Sequence, residues 1–101
     1  MPKESSSAAI KDSQRIEVPR MYNVYIHNDD FTPMDFVVDI LVEVFRKPTA
    51  EAFAIMMSVH RSDRGFVGRY TYDIAKSKVN KSERIARQEG YPLRLSFEPE
   101  Q

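Results

Sequence analysis

Residues 21–41 read MYNVYIHNDDFTPMDFVVDIL, and within those letters the chain changes from one kind of local structure to another. Met21 to His27 is aromatic and β-branched and carries no charge, which predicts a largely buried strand. Asn28, Asp29 and Asp30 then break it. Thr32, Pro33 and Asp35 make a helix start, with threonine as N-cap, proline at the first helical position and a carboxylate near the positive end of the dipole. Beyond that start Phe36, Val37, Ile40, Leu41, Val44 and Phe45 recur at helical spacing. Asp35, Asp39 and Glu43 share another face, so the helix is amphipathic with an acidic outer stripe.

Downstream, Pro48 and Thr49 end this helix and open a second, Ala50 to about His60, with Ala52, Met56, Val59 and His60 along one side. Gly65 to Tyr70 reads as a short strand, weakened or bulged at Gly68. Thr71 and Asp73 open a third helix that runs to Gly90, a good stop with Pro92 just past it. Leu93, Leu95 and Phe97 alternate with Arg94, Ser96 and Glu98, the pattern of a strand buried on one face. The order β-α-α-β-α-β predicts an α+β domain over residues 21–101, a three-stranded antiparallel sheet packed against three helices. Upstream, residues 1–20 contain three consecutive serines, and their only sizeable aliphatic side chains are Ile10, Ile16 and Val18. Such a stretch cannot repay the entropy of ordering and is expected to be a flexible N-terminal arm.

At 101 residues, with 42% hydrophobic and 11% aromatic side chains, the chain has room for one core and one site. No apolar run approaches the roughly 20 residues of a membrane span, which predicts a soluble protein. There is no cysteine, which excludes disulfides and thiol nucleophiles. The N-terminal residues contain no apolar segment of a secretory signal, and a cytoplasmic location is the expectation. Net charge is zero, yet residues 28–51 carry six acids against two bases and residues 61–87 eight bases against three acids. Two faces of opposite sign follow, each able to steer a partner.

The three glycines form no phosphate-binding loop. Read as a calcium loop, Asn28 to Asp39 puts Pro33 or Met34 where glycine is needed and lacks the closing glutamate. His27 and His60, with Asp29 or Asp30, have no recognised zinc spacing, and no nucleophile accompanies Asp29, Asp30 and His60. The residues thus favour binding over catalysis, with no metal and no cofactor. Lys76, Lys78, Lys81, Arg84 and Arg87 spread over several faces of the third helix. They leave a nucleic-acid or ribosome-associated domain as the alternative reading, although no aromatic platform accompanies the charge in the sequence.

VYIHNDDFTPMDFVVDIL, then AIMMSVHRSDRG, then the Pro-Leu of GYPLRLSF, together resemble the ClpS family, the adaptors of the bacterial N-end rule, from Met21 to about Phe97. That resemblance implies a non-enzymatic adaptor that delivers N-degron substrates to the N-terminal domain of a ClpA or ClpC unfoldase. It implies that Asn28, Asp29 and His60 grip a free α-amino group, and that Ile26, Thr32, Met34, Val37, Met56, Val59 and Leu93 line a pocket for a Leu, Phe, Tyr or Trp side chain. Met34 at the pocket edge is expected to exclude β-branched Ile and Val. Unfoldase docking is expected near Tyr70, Asp73 and Lys78, and the arm is expected to be engaged by the unfoldase pore during delivery.

Overall fold

The computed structural model describes residues 18–101, so most of the arm expected over residues 1–20 lies outside the described residues. Strands β1 (Met21–His27), β2 (Arg64–Thr71) and β3 (Arg94–Pro99) form one antiparallel sheet in the order β2-β1-β3. Helices α1 (Met34–Glu43), α2 (Thr49–Ser62) and α3 (Tyr72–Gln88) complete the order β-α-α-β-α-β. This is the α+β architecture expected from the pattern of the sequence.

The uncharged β1 takes the centre of the sheet and alternates strictly. Val24 and Ile26 are wholly buried, and they join Val67 and Leu95 from the flanking strands and Leu93 just before β3 against Ile40, Leu41, Ile55, Met56 and Val79 from the helices. Asn23, Tyr25 and His27 lie on the other, open face, so β1 is buried on one side rather than throughout. There the Arg64 guanidinium sits 4.0 Å from the centre of the Tyr25 ring. Val24 pairs with Gly68 and Tyr25 with Phe66, which makes Val67 the extra residue of a bulge beside the glycine that suggested one. At the start of β2 a Cβ on Gly65 would fall 2.8 Å from Val59 Cγ2, so glycine lets this strand press against the last turns of α2.

Two helix ends differ from expectation. Pro33, not Thr32, occupies the N-cap position of α1, and its carbonyl accepts from the Phe36 and Val37 N–H groups. The Thr32 hydroxyl has a stronger local acceptor, described below. α1 also ends earlier than Pro48, because Arg46 turns left-handed (φ 56°) and the Lys47 N–H reaches back to the Leu41 carbonyl. Val44 and Phe45 remain buried beyond the helix. The end of α3 follows the sequence closely: Gly90 (φ 84°) donates to Arg87 O and Tyr91 to Ala86 O, the paired bonds of a Schellman stop.

Candidate functional site

β1 runs directly into the loop Asn28–Thr32, and one side chain organises that loop. Asp29 Oδ1 accepts from the Phe31 N–H at 2.8 Å and the Thr32 N–H at 2.7 Å, while Oδ2 accepts from the Thr32 hydroxyl at 2.8 Å. An aspartate that binds backbone groups two and three residues on closes an Asx-type turn. Burial pushes the Asp29 carboxyl up, but the hydrogen bonds from Thr32 and Phe31, with the Arg87 guanidinium, outweigh it and hold the group below the usual carboxylate range.

The loop is also tied sideways. The Asn28 N–H donates to the Asp63 carbonyl at 2.9 Å, and Asp63 (φ 69°) is the left-handed residue that ends α2. This bond draws the loop against the last turn of α2, where His60 lies exposed. Asn28, Asp29, Thr32, Met34 and His60 consequently border a single cleft of about 410 Å³, completed by Asp30, Phe31 and Pro33. Asn28 contributes an amide oxygen, Asp29 Oδ2 retains acceptor capacity beyond its bond to Thr32, and a neutral His60 ring offers one nitrogen. Met34 is 44% exposed, a flexible thioether at the rim.

The other residues expected at a side-chain pocket are placed differently. Ile26, Val37, Met56, Val59 and Leu93 belong to the buried core, none more than 7% exposed, and none of them borders the cleft. An apolar stripe at helical spacing does not distinguish a core side chain from a pocket wall, which is why the sequence alone groups them with Met34.

A second cleft, of about 580 Å³, lies against the same loop. It shares Asn28, Asp29, Asp30 and Phe31 with the first and is bounded beyond them by His27, Pro92 and Arg94. Sequence reasoning missed it because Pro92 and Arg94 arrive from the far end of the chain. The available signal was Phe31, an aromatic residue that directly follows the polar run Asn28-Asp29-Asp30; it is 76% exposed.

The residues expected at a docking surface sit near the opposite end of β1, since Tyr70 pairs with Tyr22 while Arg64 pairs with His27. Burial raises the Tyr70 hydroxyl above the ordinary tyrosine range, and the nearby Glu51 carboxylate adds to it. Lys78 Nζ lies 5.8 Å from the centres of both the Tyr70 and Phe45 rings and donates to the Val44 carbonyl at 2.8 Å, closing the end of α1. Asp73 is exposed in the first turn of α3. Of the basic residues on α3, Arg87 is also engaged within the molecule, donating to the Tyr91 and Leu93 carbonyls.

His27 hydrogen-bonds Ser96 Oγ at 2.7 Å and borders the second cleft, whereas His60 borders the first. Among the described residues no group of three or more His, Asp or Glu side chains is placed to hold a metal ion, and no helix is long and apolar enough to cross a membrane.

Comparison with known proteins gives a consistent result. Residues 17–96 match the family described as ATP-dependent Clp protease adaptor protein ClpS. The ATP-dependent Clp protease adapter protein ClpS of Clostridium acetobutylicum is 46% identical over 95 residues, covering 94% of each chain. That of Nitratidesulfovibrio vulgaris is 50% identical over 97 residues, covering 96% of this chain and 91% of the relative. Agrobacterium tumefaciens ClpS2 bound to L-phenylalaninamide superposes with a TM-score of 0.79 at 35% identity, covering 82% of this chain and all of that one.

Proposed function

From the chain's membership of the ClpS family of Clp protease adaptors, shown by these matches, we propose that it binds the free α-amino group and the bulky hydrophobic side chain of N-degron substrates and delivers them to a ClpA or ClpC unfoldase. The observation that carries this reading is the cleft bordered jointly by Asn28, Asp29, Thr32, Met34 and His60, residues from three elements that one loop brings together. A free N-terminus is an ammonium with three donors, and this cleft supplies oxygen and imidazole acceptors. The phenylalaninamide bound by the Agrobacterium neighbour has the chemistry required here, a free amine beside a large apolar side chain.

Under this reading the carboxylate of Asp29 has two tasks. Three of its acceptor positions hold the loop, and the remainder of Oδ2 faces the amine. The side chain of a bound Leu, Phe, Tyr or Trp enters beneath Met34, toward Val37, Met56 and Val59. Since those side chains are packed, Met34 has to swing aside as the substrate enters. Burying such a side chain is worth roughly 1.5–3 kcal/mol, which sets the preference for large apolar first residues. The docking patch at Tyr70, Asp73 and Lys78 lies near the opposite end of a seven-residue strand, about 20 Å away at 3.4 Å per residue, so substrate and unfoldase bind together without overlap. A nucleic-acid role for α3 is less favoured, because Lys78 and Arg87 already serve carbonyls of the protein itself.

Fluorescence anisotropy with labelled peptides differing at the first residue tests the reading. Free Leu and Phe peptides should bind, a Glu peptide should not, and acetylation of the Leu peptide should cost tenfold or more, on the order of one charge-assisted hydrogen bond. His60→Ala should weaken the Leu peptide by about tenfold, and Met34→Ala should admit Ile and Val. Equal binding of the free and acetylated peptides would remove the amine site from the account.

A further inference from the structure

If the first residue of a substrate sits in the first cleft, the residues after it leave across the loop Asn28–Phe31. We propose that the second cleft reads an aromatic side chain three to five residues into the substrate chain. This rests on the function proposed above and adds to it a second determinant of substrate choice.

The two clefts adjoin the same loop, since both are bordered by Asn28, Asp29, Asp30 and Phe31. An extended chain advances about 3.3–3.6 Å per residue, so two to four residues cover about 7–14 Å, the scale on which a chain crosses a single loop. What waits beyond the loop is chemically specific. Phe31 is 76% exposed and joins none of the aromatic pairs found among the described residues. Pro92 opposite it is exposed as well, and the two give an apolar wall on which a ring can stack.

Arg94 supplies the third side. It is carried on β3 directly across from His27, so a strand rather than a loop fixes its position. Its guanidinium takes part in no salt bridge among the described residues, unlike Arg64 and Arg69, which pair with Glu98 and Glu100. A planar cation beside an apolar wall favours the face of an aromatic ring. The remaining groups penalise the alternatives: Asp29 and Asp30 oppose a carboxylate, and Arg94 opposes a lysine or arginine. A neutral aromatic side chain is the class that every wall of the cleft accepts.

The test uses serine-rich peptides that begin with a free Leu and carry a single Phe scanned over positions 2 to 6, measured by anisotropy. One or two adjacent positions among 3, 4 and 5 should bind about threefold to tenfold more tightly than the all-serine peptide. Arg94→Ser should abolish this gain while leaving the all-serine peptide at its original affinity, and Phe31→Ala should reduce the ratio between the two peptides within the same variant. Arg94→Gln, with the strand checked by circular dichroism, serves where the serine variant does not fold. A gain at no position, a gain confined to position 2, or one that survives both Arg94 substitutions overturns this inference and leaves the amine site standing. Failure of every free Leu peptide to bind overturns both.

Discussion

Around Tyr22 the central strand is held by rings, and around His27 by hydrogen bonds. Tyr22, Tyr72 and Phe97 meet edge to face with centroids 5.3 to 6.0 Å apart, a cluster drawn from β1, α3 and β3. At the other end Asp29 accepts three bonds within one turn, and Asn28 donates to Asp63. Aromatic packing is broad and weakly directional, so it survives small displacements. Hydrogen bonds to a single carboxylate fix positions closely and fail together when that group changes. The directional end of the molecule borders the clefts, and the tolerant end lies away from them.

The sharpest way to break this contrast is Asp29→Ala. Loss of three bonds from one acceptor should lower stability by about 1–2 kcal/mol, measured by urea unfolding, and should reduce binding of a free Leu peptide by well over tenfold. Little change in binding despite a lower midpoint would mean that Asp29 serves the fold of the loop and takes no part in holding the amine. The matching change at the other end, Phe97→Leu, should cost about 0.5–1.5 kcal/mol through lost ring contacts and leave peptide affinity within twofold.

Acidity separates the two ends by a smaller effect. Because the folded Asp29 carboxyl titrates below its ordinary value, its contribution is fully present above the unfolded pKa of about 3.9 and is lost as the pH falls through the lower, folded value. The stability difference between the wild type and Asp29→Asn should therefore be constant from pH 7 to about 5 and shrink below pH 4. The difference for Phe97→Leu should stay flat over the same range. A parallel decline in both would place the acid sensitivity elsewhere in the molecule.

What the sequence disclosed about this arrangement follows from the range of the forces involved. The strands and helices were legible because each carries its own apolar period, and the stop at Gly90 because glycine is suited to a left-handed turn. The cap at Thr32 was misread for a local reason: the residue type suits an N-cap, but Asp29, three residues earlier, competes for its hydroxyl. Residue type cannot rank two such partners. At the site, the polar border was legible through the family resemblance, and the structure brings Asn28, Asp29, Thr32, Met34 and His60 to one cleft. The depth of Val37, Met56 and Val59 was not, because periodicity reports the face of a helix and not its distance from solvent. Arg94 was read only as the polar partner of an alternating strand, and its place beside Phe31 depends on how β3 docks.

The sheet order has a bearing on how quickly each part of the molecule comes into being. The first cleft is completed when His60 returns to Asn28, a closure of a few dozen residues, whereas the second needs β3 to pair with β1 across roughly 70 residues of chain. Doubling a loop adds only about 0.6 kcal/mol of closure entropy, so the finished protein scarcely registers the difference. Folding rate is more sensitive to such separations, because distant pairings must be found before they are rewarded. A chain emerging from disorder is thus set to assemble the cleft beside His60 before the cleft beside Arg94.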